Sequence, residues 1–153
     1  LKQITLRKIS KLKNTRQKNI YLRVYNNDIF SKEKLHKYGM VDSPNCSRCG
    51  GIESKLHLLF ECPQVRQIWN KMHNLTKDQQ VAELKDLFGF GDNSTIIKIK
   101  IEIIGLLINK NRPALHTSGT IDCVLNKLMQ IENQNKTLIT ICKGLKQKLR
   151  NII

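Results

Sequence analysis

Cys46, Cys49, His57 and Cys62 are spaced as C-x2-C-x7-H-x4-C, so three thiols and one imidazole fall within 17 residues. Any fold of this chain has to accommodate that cluster. Three sulfurs and one ring nitrogen are the donor set of a closed, tetrahedral, structural zinc site. The C-x2-C half predicts a knuckle that aims two sulfurs at one point. Pro44-Asn45 before it and Gly50-Gly51 after it supply the turn backbone. The His-x4-Cys half predicts one short helical segment, Lys55 to Cys62, which Pro63 redirects. Four protein donors leave no position open for water, so the expected role of the metal is to hold the local fold, not to act as a Lewis acid. Binding free energy on the order of 10 kcal/mol would then appear as folding free energy.

Two plainer readings compete. The cysteines could be reduced thiols beside a chance histidine, but a Cys-rich short stretch in a non-secreted chain points to metal. A disulfide framework fits worse, because three clustered cysteines cannot all pair and no secretory signal is present. An intracellular setting, nucleus or cytoplasm, is the expectation. No run approaches the ~18 apolar residues of a membrane span. The chain begins with Leu1, which suggests a piece of a longer protein.

Charge is the second constraint. The net charge is +15, and residues 1–37 carry eleven Lys/Arg against two acids, a net +9. Such a balance opposes compaction and argues for a polyanionic partner, RNA or DNA. The candidate phosphate contacts are Lys2, Arg7, Lys8, Lys11, Lys13, Arg16, Lys18 and Arg23, with Arg48 reaching out from the knuckle. The plainer alternative for this run is a solvated helix face, and a membrane-surface helix is a third. Tyr21 and Tyr25 sit at helical spacing with Ile20 and Val24, so they read first as core and second as base-stacking groups.

Aromatic content of 5% requires an Ile/Leu-rich core. The pattern predicts an all-α fold in four segments. Residues 1–40 are basic and helical, with Ser31 capping a short helix that ends at Gly39. In that helix Phe30 and Leu35 stand at the hydrophobic-staple positions. Residues 41–75 hold the knuckle and a supporting amphipathic helix. There Val65, Ile68, Trp69 and Met72 share a face, and Trp69 is expected to plug the core under the zinc site. Residues 76–111 form a helical pair, with a Thr76/Gln79 capping box and a Val81, Leu84, Leu87, Phe88 stripe. The second member is ambiguous: Ile97, Ile99, Ile101 and Ile103 alternate like a strand, although length favours a helix.

Residues 120–153 predict one long amphipathic heptad helix. Ile121, Val124, Leu128, Ile131, Asn135, Leu138, Cys142, Leu145, Leu149 and Ile152 step by three and four. Asn135 falls at an a position, where it could fix register. Leu128, Ile131, Asn135, Leu138 and Leu145 are the candidate interaction residues for a homodimer or a docked partner. Gly144, Ile139 and Ile141 argue the other way, for a helix packed on its own domain. His36, His73, His116 and Cys123 have no partner in the pattern.

The run Leu22 to Trp69 resembles the zinc-binding segment downstream of the reverse transcriptase domain in non-LTR retrotransposon polyproteins. The matching features are Leu35, Tyr38-Gly39, the run Asp42 to Cys49, Glu53, His57-Leu58-Leu59, Glu61-Cys62-Pro63 and Trp69. The resemblance implies a zinc-stabilised, non-catalytic C-terminal fragment whose segment grips RNA or target DNA. Catalysis lies elsewhere in such polyproteins. Here there is no adjacent Asp pair for a two-metal polymerase site, and the three prolines precede Asn45, Gln64 and Ala114, so the Pro-Asp of a restriction-like endonuclease is absent. The competing expectation is a zinc-stabilised interaction module acting through the heptad helix.

Overall fold

The computed structural model describes residues 12–77 and 94–151. Its secondary structure among these residues is helical. The order is α1 (Thr15–Tyr25), α2 (Lys32–Lys37), a π-turn (His57–Glu61), α3 (Pro63–Thr76), α4 (Ser94–Leu107), α5 (Thr117–Ile131) and α6 (Lys136–Asn151). No helix among the described residues is long and apolar enough to cross a membrane.

Among the described residues the first helix begins at Thr15. The Asn14 side chain accepts from the Gln17 N–H at 3.1 Å and so starts α1. Asn27, at φ +59, then ends it in a left-handed cap, with Asp28 N–H on Arg23 O and Asn27 N–H on Val24 O. The same device closes α2: Gly39 sits at φ +71, its N–H reaches His36 O, and Met40 N–H reaches Leu35 O. Ser31 caps the start of α2 by accepting from Lys34 N–H.

Helix α4 is the central strut. Ile99, Ile101, Ile103, Ile104 and Leu107 are all fully buried, so both alternating sets of isoleucines face protein. That explains the ambiguous pattern: a helix buried on nearly all sides, with Lys98, Lys100 and Glu102 buried among the isoleucines, has no clear amphipathic period to read. Its polar residues are paired. Glu102, 1% exposed, accepts twice from Arg16 Nη1 at 2.7 Å and from Gln17 Nε2 at 3.3 Å. Lys98 bonds Glu132 at 2.9 Å. Helices α1, α5 and the π-turn pack around this strut, and α3 packs on α5.

The expected single helix over 120–153 is instead two helices. Helix α5 already begins at Thr117 and stops at Ile131, a turn occupies 132–134, and α6 folds back on α5 and α3. The break lies at Asn135, whose side chain accepts from Leu138 N–H at 3.1 Å while its carbonyl accepts from Ile139 N–H. Asn135 is therefore the N-cap of α6 and not a buried register residue. The heptad seam closes on itself: Ile121, Val124 and Leu128 on α5, and Leu138, Cys142, Leu145 and Leu149 on α6, are all buried in one core. Ile131 is half-buried at the hairpin end. Asn135→Ala is expected to cost about 1 kcal/mol, and Asn135→Leu should destabilise as well. Chemical denaturation checks both; a stabilising Leu would indicate a heptad role.

Thr76, expected to cap a following helix, is the last residue of α3, and its hydroxyl donates to Met72 O at 2.8 Å. Gln79 and the Val81–Phe88 stripe lie outside the described residues.

Candidate metal centre

The knuckle is built by backbone. An antiparallel bridge joins Asn45 to Ile52, Cys46 N–H donates to Gly51 O at 2.6 Å, and Gly50 N–H donates to Cys46 O at 2.9 Å. Gly50 turns the chain at φ +82, a conformation that glycine tolerates best. Arg48 N–H points at the Cys46 sulfur at 3.4 Å. This turn aims Cys46 and Cys49 at one point.

The other two donors come from the π-turn. In an α-helix, residues five apart point about 140° away from each other. Here Cys62 N–H bonds His57 O at 3.0 Å, an i to i+5 closure that widens the turn and brings His57 and Cys62 to the same side. Ser54 Oγ accepts from His57 N–H at 3.1 Å and starts the segment. Pro63 then opens α3, where its missing N–H costs nothing. Trp69 locks the underside: it is buried, and its indole donates to Leu59 O at 2.7 Å, inside the π-turn.

One ligand atom from each of Cys46, Cys49, His57 and Cys62 lies within 4.8 Å of all the others. The Cys46 and Cys62 sulfurs are 4.0 Å apart, and Cys49 Sγ is 3.2 Å from His57 Nε2. Zinc at about 2.3 Å from sulfur and about 2.0 Å from nitrogen separates tetrahedral ligands by roughly 3.5–3.8 Å. The donor set fits one closed tetrahedral zinc through His57 Nε2. Burial pushes the Cys62 thiol up to about 11, whereas the Gly51 backbone N–H pulls Cys49 down. The two thiols thus differ in how readily they ionise, and zinc supplies the positive charge that holds all three sulfurs as thiolates.

A buried ion pair clamps this unit to the helical core. Glu53 is fully buried directly after the knuckle. It accepts from Arg112 Nη2 at 2.7 Å, from Arg112 Nε at 3.1 and 3.2 Å, and from Lys32 N–H at 2.9 Å. Arg112 also donates to Asn109 O at 2.9 Å and Phe30 O at 3.0 Å. Arg48, expected to reach outward, turns inward instead: its Nε and Nη2 both donate to Pro113 O at 3.3 Å. The loop after α4 therefore has carbonyls that need donors, and the knuckle supplies one.

Residues 5–69 match the family described as zinc-binding in reverse transcriptase. This part of the chain is similar to the zinc-binding segment of reverse transcriptases. No curated protein and no solved structure matches the chain. The matched segment ends at Trp69, whose indole is bonded to Leu59 O within the π-turn. What the family description names is zinc binding, and the Cys46, Cys49, His57 and Cys62 cluster fits it.

Of the sequence-derived phosphate contacts, only part falls among the described residues. Lys2, Arg7, Lys8 and Lys11 lie outside the described residues. Lys13 is exposed and Lys18 is half-buried. Arg16 is committed to Glu102, and Arg23 Nε donates to Asp28 O at 3.3 Å. Of the interaction residues, Leu128, Leu138 and Leu145 are buried inside the monomer. The pattern did not reveal the Glu53–Arg112 pair; Glu53 stood out only through the family resemblance.

Proposed function

We propose that this chain is a non-catalytic part of a non-LTR retrotransposon reverse transcriptase, and that its zinc-stabilised domain binds RNA or DNA through phosphate contacts. Such a protein works in the nucleus or cytoplasm. Polymerase and endonuclease chemistry would lie in other parts of the polyprotein, consistent with a sequence that has neither an adjacent Asp pair nor a Pro-Asp pair.

The observation that carries the reading is where the charge falls. Helix α6 contains no acidic residue, and Lys136, Lys143, Lys148 and Arg150 are exposed on it. Lys136, Lys143 and Arg150 recur every seven residues, which places them on one side of the helix, about 10 Å apart. The opposite side is buried through Leu138, Cys142, Leu145 and Leu149. A stripe of uncompensated cations on a rigid support is a phosphate-tracking surface. The sequence carries a further net +9 over residues 1–37.

The test is a titration of labelled RNA and DNA between 50 and 200 mM salt. With four phosphate contacts, affinity is expected to fall by about 100-fold over that range. Charge reversal at Lys143 and Arg150 should flatten the salt slope by about one unit for each phosphate no longer neutralised. Binding that is absent at low salt, or flat across the range, contradicts the reading.

A further inference from the structure

Beside the zinc segment, α1, α2 and the C-terminal end of α4 enclose a groove of about 680 Å³, a size typical of small-ligand sites. Its floor is apolar, made by Ile20, Phe30, Leu35, Met40, Val41 and Ile108. Gly105 also lines it: a Cβ there would stand 2.9 Å from Ile20 Cδ1, so the glycine lets α1 approach α4 closely. Five cations surround this floor, Arg16, Arg23, Lys32, Lys110 and Arg112, and no acidic side chain lines it among the described residues.

Two of those cations are already neutralised, Arg16 by Glu102 and Arg112 by Glu53. The other three are not paired with carboxylates: Arg23 donates to a backbone carbonyl, Lys32 to the Ser47 hydroxyl, and Lys110 is exposed. Phe30 is 43% exposed and Met40 70% exposed at the same place. Phe30 stands at the staple position with Leu35, and both line the groove. Its ring carries the Lys34 ammonium 5.0 Å from the centroid, and its carbonyl is held by Arg112 at 3.0 Å. The chain thus presents an aromatic ring, on backbone anchored at both Ser31 and Arg112, inside a ring of positive charge.

We propose that this groove takes an unpaired nucleotide of a single-stranded RNA or DNA segment. The base lies on Phe30 and Met40, and the flanking phosphates meet Arg23, Lys32 and Lys110. A flat apolar floor with surplus cations and no anion suits a π-face joined to phosphate. In a duplex the bases are stacked away and only the phosphates could reach. The inference rests on the proposed nucleic-acid binding and adds to it a site and a preference for single strands.

The experiment is fluorescence anisotropy on the zinc-loaded chain with labelled oligo-U, oligo-dT and a hairpin duplex of equal length. The variants are Phe30→Ala, Phe30→Tyr and Lys110→Glu, with Lys143→Glu on α6 as a charge control. The expected result is tighter binding of the single strands. Phe30→Ala should weaken them about tenfold or more and leave the duplex within about twofold. Phe30→Tyr should keep wild-type affinity, and Lys110→Glu should weaken single strands more than Lys143→Glu does. If Phe30→Ala fails to fold by circular dichroism, the Lys110→Glu and Phe30→Tyr arms decide. Wild-type binding with no strand preference and no groove effect overturns this site but leaves phosphate binding intact. No binding of any oligonucleotide overturns both. Displacement by polyglutamate as effective as by oligo-U would assign the groove to acidic peptide and overturn the nucleotide.

Discussion

Arg112→Ala is expected to destabilise the zinc-loaded protein by about 3–5 kcal/mol, the cost of breaking a buried ion pair from one side. The Glu53 carboxylate has no exposure, and two Arg112 nitrogens and one backbone N–H compensate it. Removing the guanidinium leaves a buried charge with a single backbone donor, and it also orphans the Phe30 carbonyl, while Asn109 O keeps only the backbone N–H of residue 112. Arg112 is held at φ +44, a conformation costly for an L-residue, which its side-chain bonds offset. A Glu53→Leu/Arg112→Met double variant should therefore cost much less than the sum of the two single changes, because no lone charge remains. Urea denaturation of the three variants tests this. A single-variant loss under about 1 kcal/mol would mean that the pair behaves like a surface bridge.

Stripping zinc with a chelator at neutral pH is expected to abolish the fold of residues 42–76 and, with it, most of the helical signal. The binding energy, on the order of 10 kcal/mol, is comparable to the whole stability of a domain this size, about 5–15 kcal/mol. Two structural links spread the loss. Trp69 ties the π-turn to α3, whose buried face joins α5 and α6 in one core. Glu53 and Arg48 tie the knuckle to the loop after α4. The chain has one tryptophan, bonded to the π-turn that carries His57, so its emission reports on that turn. Chelation should shift that emission to the red together with the loss of helicity. Unchanged emission and helicity would mean that the helices hold without the ion.

The metal ligands were legible because all four lie within 17 residues and local spacing alone brings them together. The caps at Ser31 and Gly39 were legible for the same reason. The all-α class and the burial of Trp69 followed from periodicity, and the helical choice for α4 from its length. What escaped depends on distance along the chain. Glu53 and Arg112 are 59 residues apart, and Arg16 and Glu102 are 86 apart. No spacing rule links such pairs, so the sequence does not show that Arg48 donates inward to Pro113 O or that Arg16, still 42% exposed, is tied to Glu102. The 120–153 helix misled for another reason: a seam of three-four steps is equally compatible with a coiled coil and with a hairpin whose two faces meet. The cap at Asn135 decides between them, and an asparagine in that place reads either way.

The central claim is that Cys46, Cys49, His57 and Cys62 together close one tetrahedral zinc. Zinc-edge X-ray absorption on the purified, zinc-loaded protein tests it most directly. The predicted first shell is three sulfurs at about 2.3 Å and one imidazole nitrogen at about 2.0 Å, with one zinc per chain. Cys62→Ser should lower the sulfur count to two. A shell with fewer than three sulfurs in the native chain, or one completed by a water oxygen, would contradict a closed structural site.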